Sequence, residues 1–186
     1  MEHRFDPPDR FVAGTVGEPG QRTFFIQARA QGRLVSIALE KQQVQLLAER
    51  IEAMLDDLLQ TLTGASDEQI VPALTPEDSV DREPLDTPIE EEFRAGTMTL
   101  AWDDDAQRVI VEVFAIEEDV AGPEDLVDPE TEREVVVVVL PPTAARAFCE
   151  RAKVVVSAGR PSCDFCGNPL DPDGHLCPRM NGFRRR

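Results

Sequence analysis

Three of the four cysteines in this chain, Cys163, Cys166 and Cys177, fall within one short stretch that also holds His175. The spacing is C-x2-C-G, then H-x-C. Thiolates two residues apart can wrap one turn of backbone around a single ion. Gly167, directly after the second cysteine, permits the tight geometry in which amide N–H groups point at sulfur. The stretch Asp171-Pro172-Asp173-Gly174 supplies the reversal that returns the second pair of ligands. Four N and S donors suit the tetrahedral preference of Zn2+, and four filled positions leave none for water, so the chemistry indicated is structural zinc. Clustered cysteines in a reducing compartment point to metal rather than to disulfides. A redox C-x-x-C would open a helix after a strand, whereas this one lies in a tail rich in Pro and Gly. A segment this short cannot fold by burial, so metal binding would supply most of its folding free energy. The H-x-C half is tighter than the usual C-x2-C. It leaves the fourth ligand open between His175, the first choice, and Cys149 or His3.

Little else in the sequence reads as catalysis. With His175 committed to metal, His3 is the remaining histidine, and there is no tyrosine. No phosphate loop, nucleophile elbow or dinucleotide fingerprint is present, and Gly14 to Gly20 reads as a hairpin turn. Asp103-Asp104-Asp105, with Glu117, Glu118 and Asp119, offers carboxylates that suit magnesium or calcium. The competing reading is an ordinary solvated acidic turn. Trp102 beside them reads as a core or rim anchor.

The charge balance, 36 acidic against 19 basic residues for a net of −17, repels nucleic-acid backbones and anionic lipid. Arg179, Arg184, Arg185 and Arg186 are the local exception. They form a basic tail for phosphate, an acidic partner or the chain's own acidic face, or simply a solvated end. Phe165, Leu176, Met180 and Phe183 either pack the metal segment against the body or offer an apolar docking patch. No stretch approaches the eighteen or so apolar residues of a membrane span, and Met1 to Pro8 lack the features of a signal peptide. The expectation is a cytoplasmic protein.

The elements that must position these residues show in the hydrophobic periodicity. Phe11–Val16, Arg22–Ala28 and Leu34–Leu39 read as strands. The stretch from Lys41 to Leu62 reads as a helix, with Val44, Leu47, Ala48, Ile51, Leu55, Leu58 and Leu62 on one stripe. Residues 63–92, with Pro72, Pro76, Pro84 and Pro88 among many acids, read as an exposed linker that Ile70, Val71, Leu74 and Leu85 could pin to the surface. Phe93–Leu100 and Arg108–Ile116 form a hairpin. Val135–Leu140 suits a strand buried on both faces, and Thr143 to Ser157 a second helix. The expected fold is α+β: two similar β-β-β-α halves, 1–62 and 93–159, sharing one two-layer core, with a zinc ribbon and basic tail over 160–186.

The tail, from Gly159-Arg160-Pro161 through the cysteines, Pro169-Leu170-Asp171-Pro172, His175, Cys177-Pro178-Arg179 and Asn181-Gly182, resembles that of an actinobacterial family without an assigned activity. That family also shares the opening at Phe11 to Gly14. The resemblance covers nearly the whole chain. It implies genes lying beside those for histidine-phosphatase-like and kinase-like proteins, near mycothiol biosynthesis. Cys149 lies outside the shared motif. The functional expectation is a non-catalytic, zinc-binding adaptor for another cytoplasmic protein, with nucleic acid and membrane disfavoured. One alternative is an enzyme or enzyme subunit acting on a phosphorylated small molecule in the groove between the halves. Another is nucleic-acid binding through the ribbon and terminal arginines.

Overall fold

The structure, a computed structural model, describes residues 1–18, 20–61, 71–75, 77–116, 133–159, 163–167, 170 and 175–180. Alternating and β-branched runs make seven strands: β1 (Glu2–Phe5), β2 (Arg10–Val16), β3 (Thr23–Ala30), β4 (Arg33–Leu39), β5 (Glu91–Asp103), β6 (Arg108–Ala115) and β7 (Val135–Leu140). Two amphipathic stretches make α1 (Lys41–Thr61) and α2 (Pro142–Ser157). The strands form one mixed sheet in the order β1-β7-β6-β5-β4-β3-β2. Pairing is parallel for β1 with β7 and for β4 with β5, and antiparallel elsewhere.

That order forces the sheet to curl. The edge strands β1 and β2 are consecutive in the chain, and six strand spacings in a flat sheet would part them by roughly 29 Å. The step from Phe5 to Arg10 can reach only about 18 Å. The edges therefore approach: Arg33 of β4 hydrogen-bonds His3 of β1, and its guanidinium lies 5.7 Å from the Phe5 ring centroid. The concave face, with Phe5, Ala13, Ile26, Ile37, Phe93, Val111 and Val138, joins the buried stripes of both helices in one core. Phe11 stacks on Phe148 of α2 at 4.6 Å between centroids. Gln43 anchors the start of α1 by accepting from Glu40 N–H at 2.8 Å and donating to the Ala95 and Gly96 carbonyls at 3.1 Å.

β1 was not expected. Its alternation, with His3 and Phe5 buried and Glu2 and Arg4 exposed, is too short to stand out locally. The strand exists because β7 offers it a parallel edge. With β1 in place β7 is an interior strand, which accounts for its unbroken valine run.

The described part of the stretch read as an exposed linker is pinned to the body at several points, Val71 and Leu85 among them. Val71 is fully buried, although Leu74 stands in solvent; Ile70 lies outside the described residues. Arg10 on β2 reaches Asp81 with two nitrogens, at 2.6 and 3.0 Å, and Asp86 at 3.0 Å. Arg151 on α2 donates to the Asp81 carboxylate at 2.8 Å and to the Asp81, Glu83 and Ala13 carbonyls at 2.7 Å each. Arg29 reaches Asp86 at 2.9 Å. Gln27 exchanges two hydrogen bonds with the Asp86 backbone, at 2.8 and 3.0 Å. The hydrogen bond from Arg10 holds the Asp81 carboxyl below its ordinary range. These contacts strap residues 81–86 across the outer face of β2 and β3.

Leu85 completes the strap by lying on Gly14, where an added Cβ would sit 2.5 to 2.9 Å from its side-chain carbons. Gly14→Val is therefore expected to cost roughly 1–3 kcal/mol of stability through overpacking. Urea unfolding checks this, and the loss should shrink when Leu85→Ala is added to the same chain.

Candidate metal centre

The four sequence-selected donors meet. Cys163 Sγ, Cys166 Sγ, Cys177 Sγ and one nitrogen of His175 all lie within 4.8 Å of one another. Cys163 and Cys177 are 3.9 Å apart at sulfur, and Cys166 Sγ is 3.1 Å from His175 Nε2. A tetrahedral ion with Zn–S near 2.3 Å and Zn–N near 2.0 Å requires donor separations of roughly 3.5–3.8 Å. The sulfur pair is far beyond the ~2.05 Å of a disulfide. The arrangement therefore fits a metal ion, with the two sides of the cluster bracketing the position it would take.

Two tight turns produce this geometry. In the first, Gly167 N–H donates to the Cys163 carbonyl at 2.8 Å, and Gly167 takes φ +75°, a left-handed conformation that a glycine adopts without strain. The N–H groups of Cys166 and Phe165 point at Cys163 sulfur and lower its pKa, as a thiolate ligand needs. In the second turn Met180 N–H donates to the Cys177 carbonyl at 3.2 Å. Arg179 crosses between the turns and donates to the Phe165 carbonyl at 2.9 Å. Three thiolates and one neutral imidazole around a divalent cation leave one net negative charge, which the Arg179 guanidinium beside them offsets.

Residues 3–177 match the family described as protein of unknown function (DUF3090). The chain belongs to the DUF3090 family. No curated protein and no solved structure matches it. The match ends on Cys177, so all four donors lie within the span that matches the DUF3090 family.

The alternative ligands lie elsewhere. Cys149 is buried between the helices and directs its thiol to the Ala48 carbonyl at 3.4 Å. Burial pushes its pKa up to about 12. Metal-stripped native protein is therefore expected to expose Cys163, Cys166 and Cys177 to iodoacetamide within minutes, with Cys149 reacting only after denaturation. Peptide mapping of the alkylated sites checks this.

His3 sits in a cluster that sequence reasoning missed, with Glu134 at 3.2 Å, Glu92 at 3.9 Å and Arg33 on the other ring nitrogen. These residues are up to 131 positions apart, so no spacing could announce them. The Arg33 donor at Nδ1 leaves the imidazole proton on Nε2, facing the carboxylates. The cluster is thus a hydrogen-bonded network around one buried imidazole, with Glu134 half-buried and Arg33 and Glu92 exposed.

Other singled-out residues have ordinary roles where they are described. The Asp103 carboxylate accepts from the N–H groups of Asp105 and Ala106 at 3.0 and 2.9 Å, capping the hairpin turn. Trp102 packs half-buried against the core. Glu117, Glu118, Asp119, Phe183, Arg184, Arg185 and Arg186 lie outside the described residues. A cavity of about 260 Å3 between β2, β7 and α2 is lined by Phe11, Leu140, Phe148, Arg10 and Arg151. The two arginines already spend N–H groups on the strap.

Proposed function

We propose that this chain holds one structural zinc ion on Cys163, Cys166, His175 and Cys177, and that the metal-built knuckle is a non-catalytic docking surface for another protein in the cytoplasm. Zinc is the ion that best matches a tetrahedral set of three thiolates and one imidazole with no redox demand. The observation that carries the docking reading is exposure. Phe165, Leu176 and Met180 are 55%, 86% and 65% exposed. They belong to the turns and the ligand segment themselves, and this exposure favours the docking alternative over one in which they tether the knuckle to the body. A knuckle rigid enough to hold three apolar side chains in water supplies what a protein partner recognises, with Arg179 at the rim. The order β2-β3-β4-α1 followed by β5-β6-β7-α2 supports reading the body as a duplicated β-β-β-α scaffold that carries the knuckle.

A photo-crosslinking amino acid placed at Phe165 or Leu176 in living cells tests the docking reading. Discrete crosslinked products are expected from both positions, absent when Cys177→Ser removes the metal, and absent from a control at exposed Val154. Products that persist without the metal, or that arise equally at Val154, would contradict it.

A further inference from the structure

β4 pairs with β5 only over Glu91–Arg94, whereas β6 follows β5 out to Asp103. The β5–β6 hairpin therefore extends past the end of β4, and among the described residues no strand lies on the outer side of Thr97–Asp103. Native edges are normally blunted by lysine, proline or an inward charge. This one reads Thr97-Met98-Thr99-Leu100-Ala101-Trp102 and carries none of these. α1 runs beside the open edge: Gln43 caps the Ala95 and Gly96 carbonyls. Farther along, Met54 and Leu58 of α1 face Leu100 across a groove of about 520 Å3, with Arg50 and Asp57 at its rim. That volume is in the range of sites that hold a drug-sized ligand.

We infer that the open edge of β5 and this groove receive one extended segment of a partner protein as an added strand. Among the described residues the outward N–H and C=O groups of Thr97–Asp103 have no strand partner, and another strand would satisfy them. An extended peptide directs alternate side chains to one side, here onto Met54, Leu58 and Leu100. The helix flanking the groove leaves room for a single chain rather than for a second sheet edge with its own helix. Exposed Asp104 and Asp105 at the hairpin tip, beside Asp103, favour a lysine or arginine at the end of the segment that lies there. This surface needs no metal and is separate from the knuckle.

The test selects binders from a random dodecapeptide phage library on the zinc-loaded full chain, then titrates a fluorescent copy of the strongest peptide. Expected are peptides with alternating apolar positions and a terminal basic residue, weakened at least tenfold by Leu58→Glu and by Arg50→Glu/Met54→Glu, and unaffected by Phe165→Ser. In wild-type protein, amide exchange should be fast at alternate residues of Thr97–Asp103 and should slow on adding the peptide, a readout that does not depend on the variants folding. Three results would overturn the inference. The selected peptides could shift amides of the knuckle instead. The edge amides could already be protected in the free chain and released on truncation after Met180, making the chain's own tail the occupant. Or the edge amides could be protected in proportion to protein concentration, making a second copy the occupant.

Discussion

Replacing Cys177 by serine, or stripping the metal with a chelator, is expected to remove one zinc ion per chain and unfold the two turns of the knuckle while the sheet and both helices survive. The described knuckle has two turns, each closed by one backbone hydrogen bond of 2.8 or 3.2 Å, and it exposes its large apolar side chains rather than burying them. Nothing in that inventory offsets the backbone entropy of ordering it, roughly 1–2 kcal/mol per residue. Metal binding to comparable zinc-finger peptides contributes about 10–16 kcal/mol near neutral pH, which is enough. The body has its own core of more than two dozen buried side chains and shares none of the ligands. Amide exchange with and without chelator checks the prediction. Protection should vanish at Phe165, Cys166 and Gly167 and stay unchanged in β6, β7 and α1.

Arg151→Ala is expected to cost about 3 kcal/mol of stability, the largest loss among substitutions of the strap's polar contacts. The side chain is buried and donates to three carbonyls and to the Asp81 carboxylate. Removing one partner of a buried pair leaves the rest desolvated and unsatisfied, at about 3–5 kcal/mol. The lower end applies because the Asp81 side chain keeps 31% of its exposure. Arg151→Lys should recover only part of the loss, since an ammonium cannot reproduce the fork.

The same clamp gives a pH signature. Arg10 lowers the Asp81 pKa in the folded chain, so the stabilisation is whole above the unfolded carboxylate value, about 3.9, and is lost as pH falls through the lower folded-state value. Urea midpoints measured from pH 7 down to pH 2.5 should fall less steeply in Asp81→Asn than in wild type.

Local patterns were legible where the physics is local. The stripe from Val44 to Leu55 has the helical period and is buried; the β-branched run Val135–Leu140 is a doubly covered strand; and C-x2-C-G forms its turn from a few residues. What stayed hidden depends on distant partners. β1 is a strand only because β7 lies beside it. The Pro- and Asp-rich connection looked exposed because acids usually seek water, but Asp81 and Asp86 instead meet arginines from β2, β3 and α2, about 60 to 70 positions away. The His3 cluster is similarly assembled from distant positions, 3, 33, 92 and 134. Whether Phe165, Leu176 and Met180 faced inward or outward could not be read from composition, since either choice satisfies an apolar side chain near a surface.

X-ray absorption at the zinc edge of the purified full chain tests the metal centre most directly. Three sulfurs near 2.3 Å and one nitrogen near 2.0 Å about one zinc per chain, with the nitrogen lost in His175→Ala and retained in His3→Ala and Cys149→Ala, is the expected result. A four-sulfur shell that depends on Cys149, or wild-type protein with an ordered tail and no metal, would contradict the account.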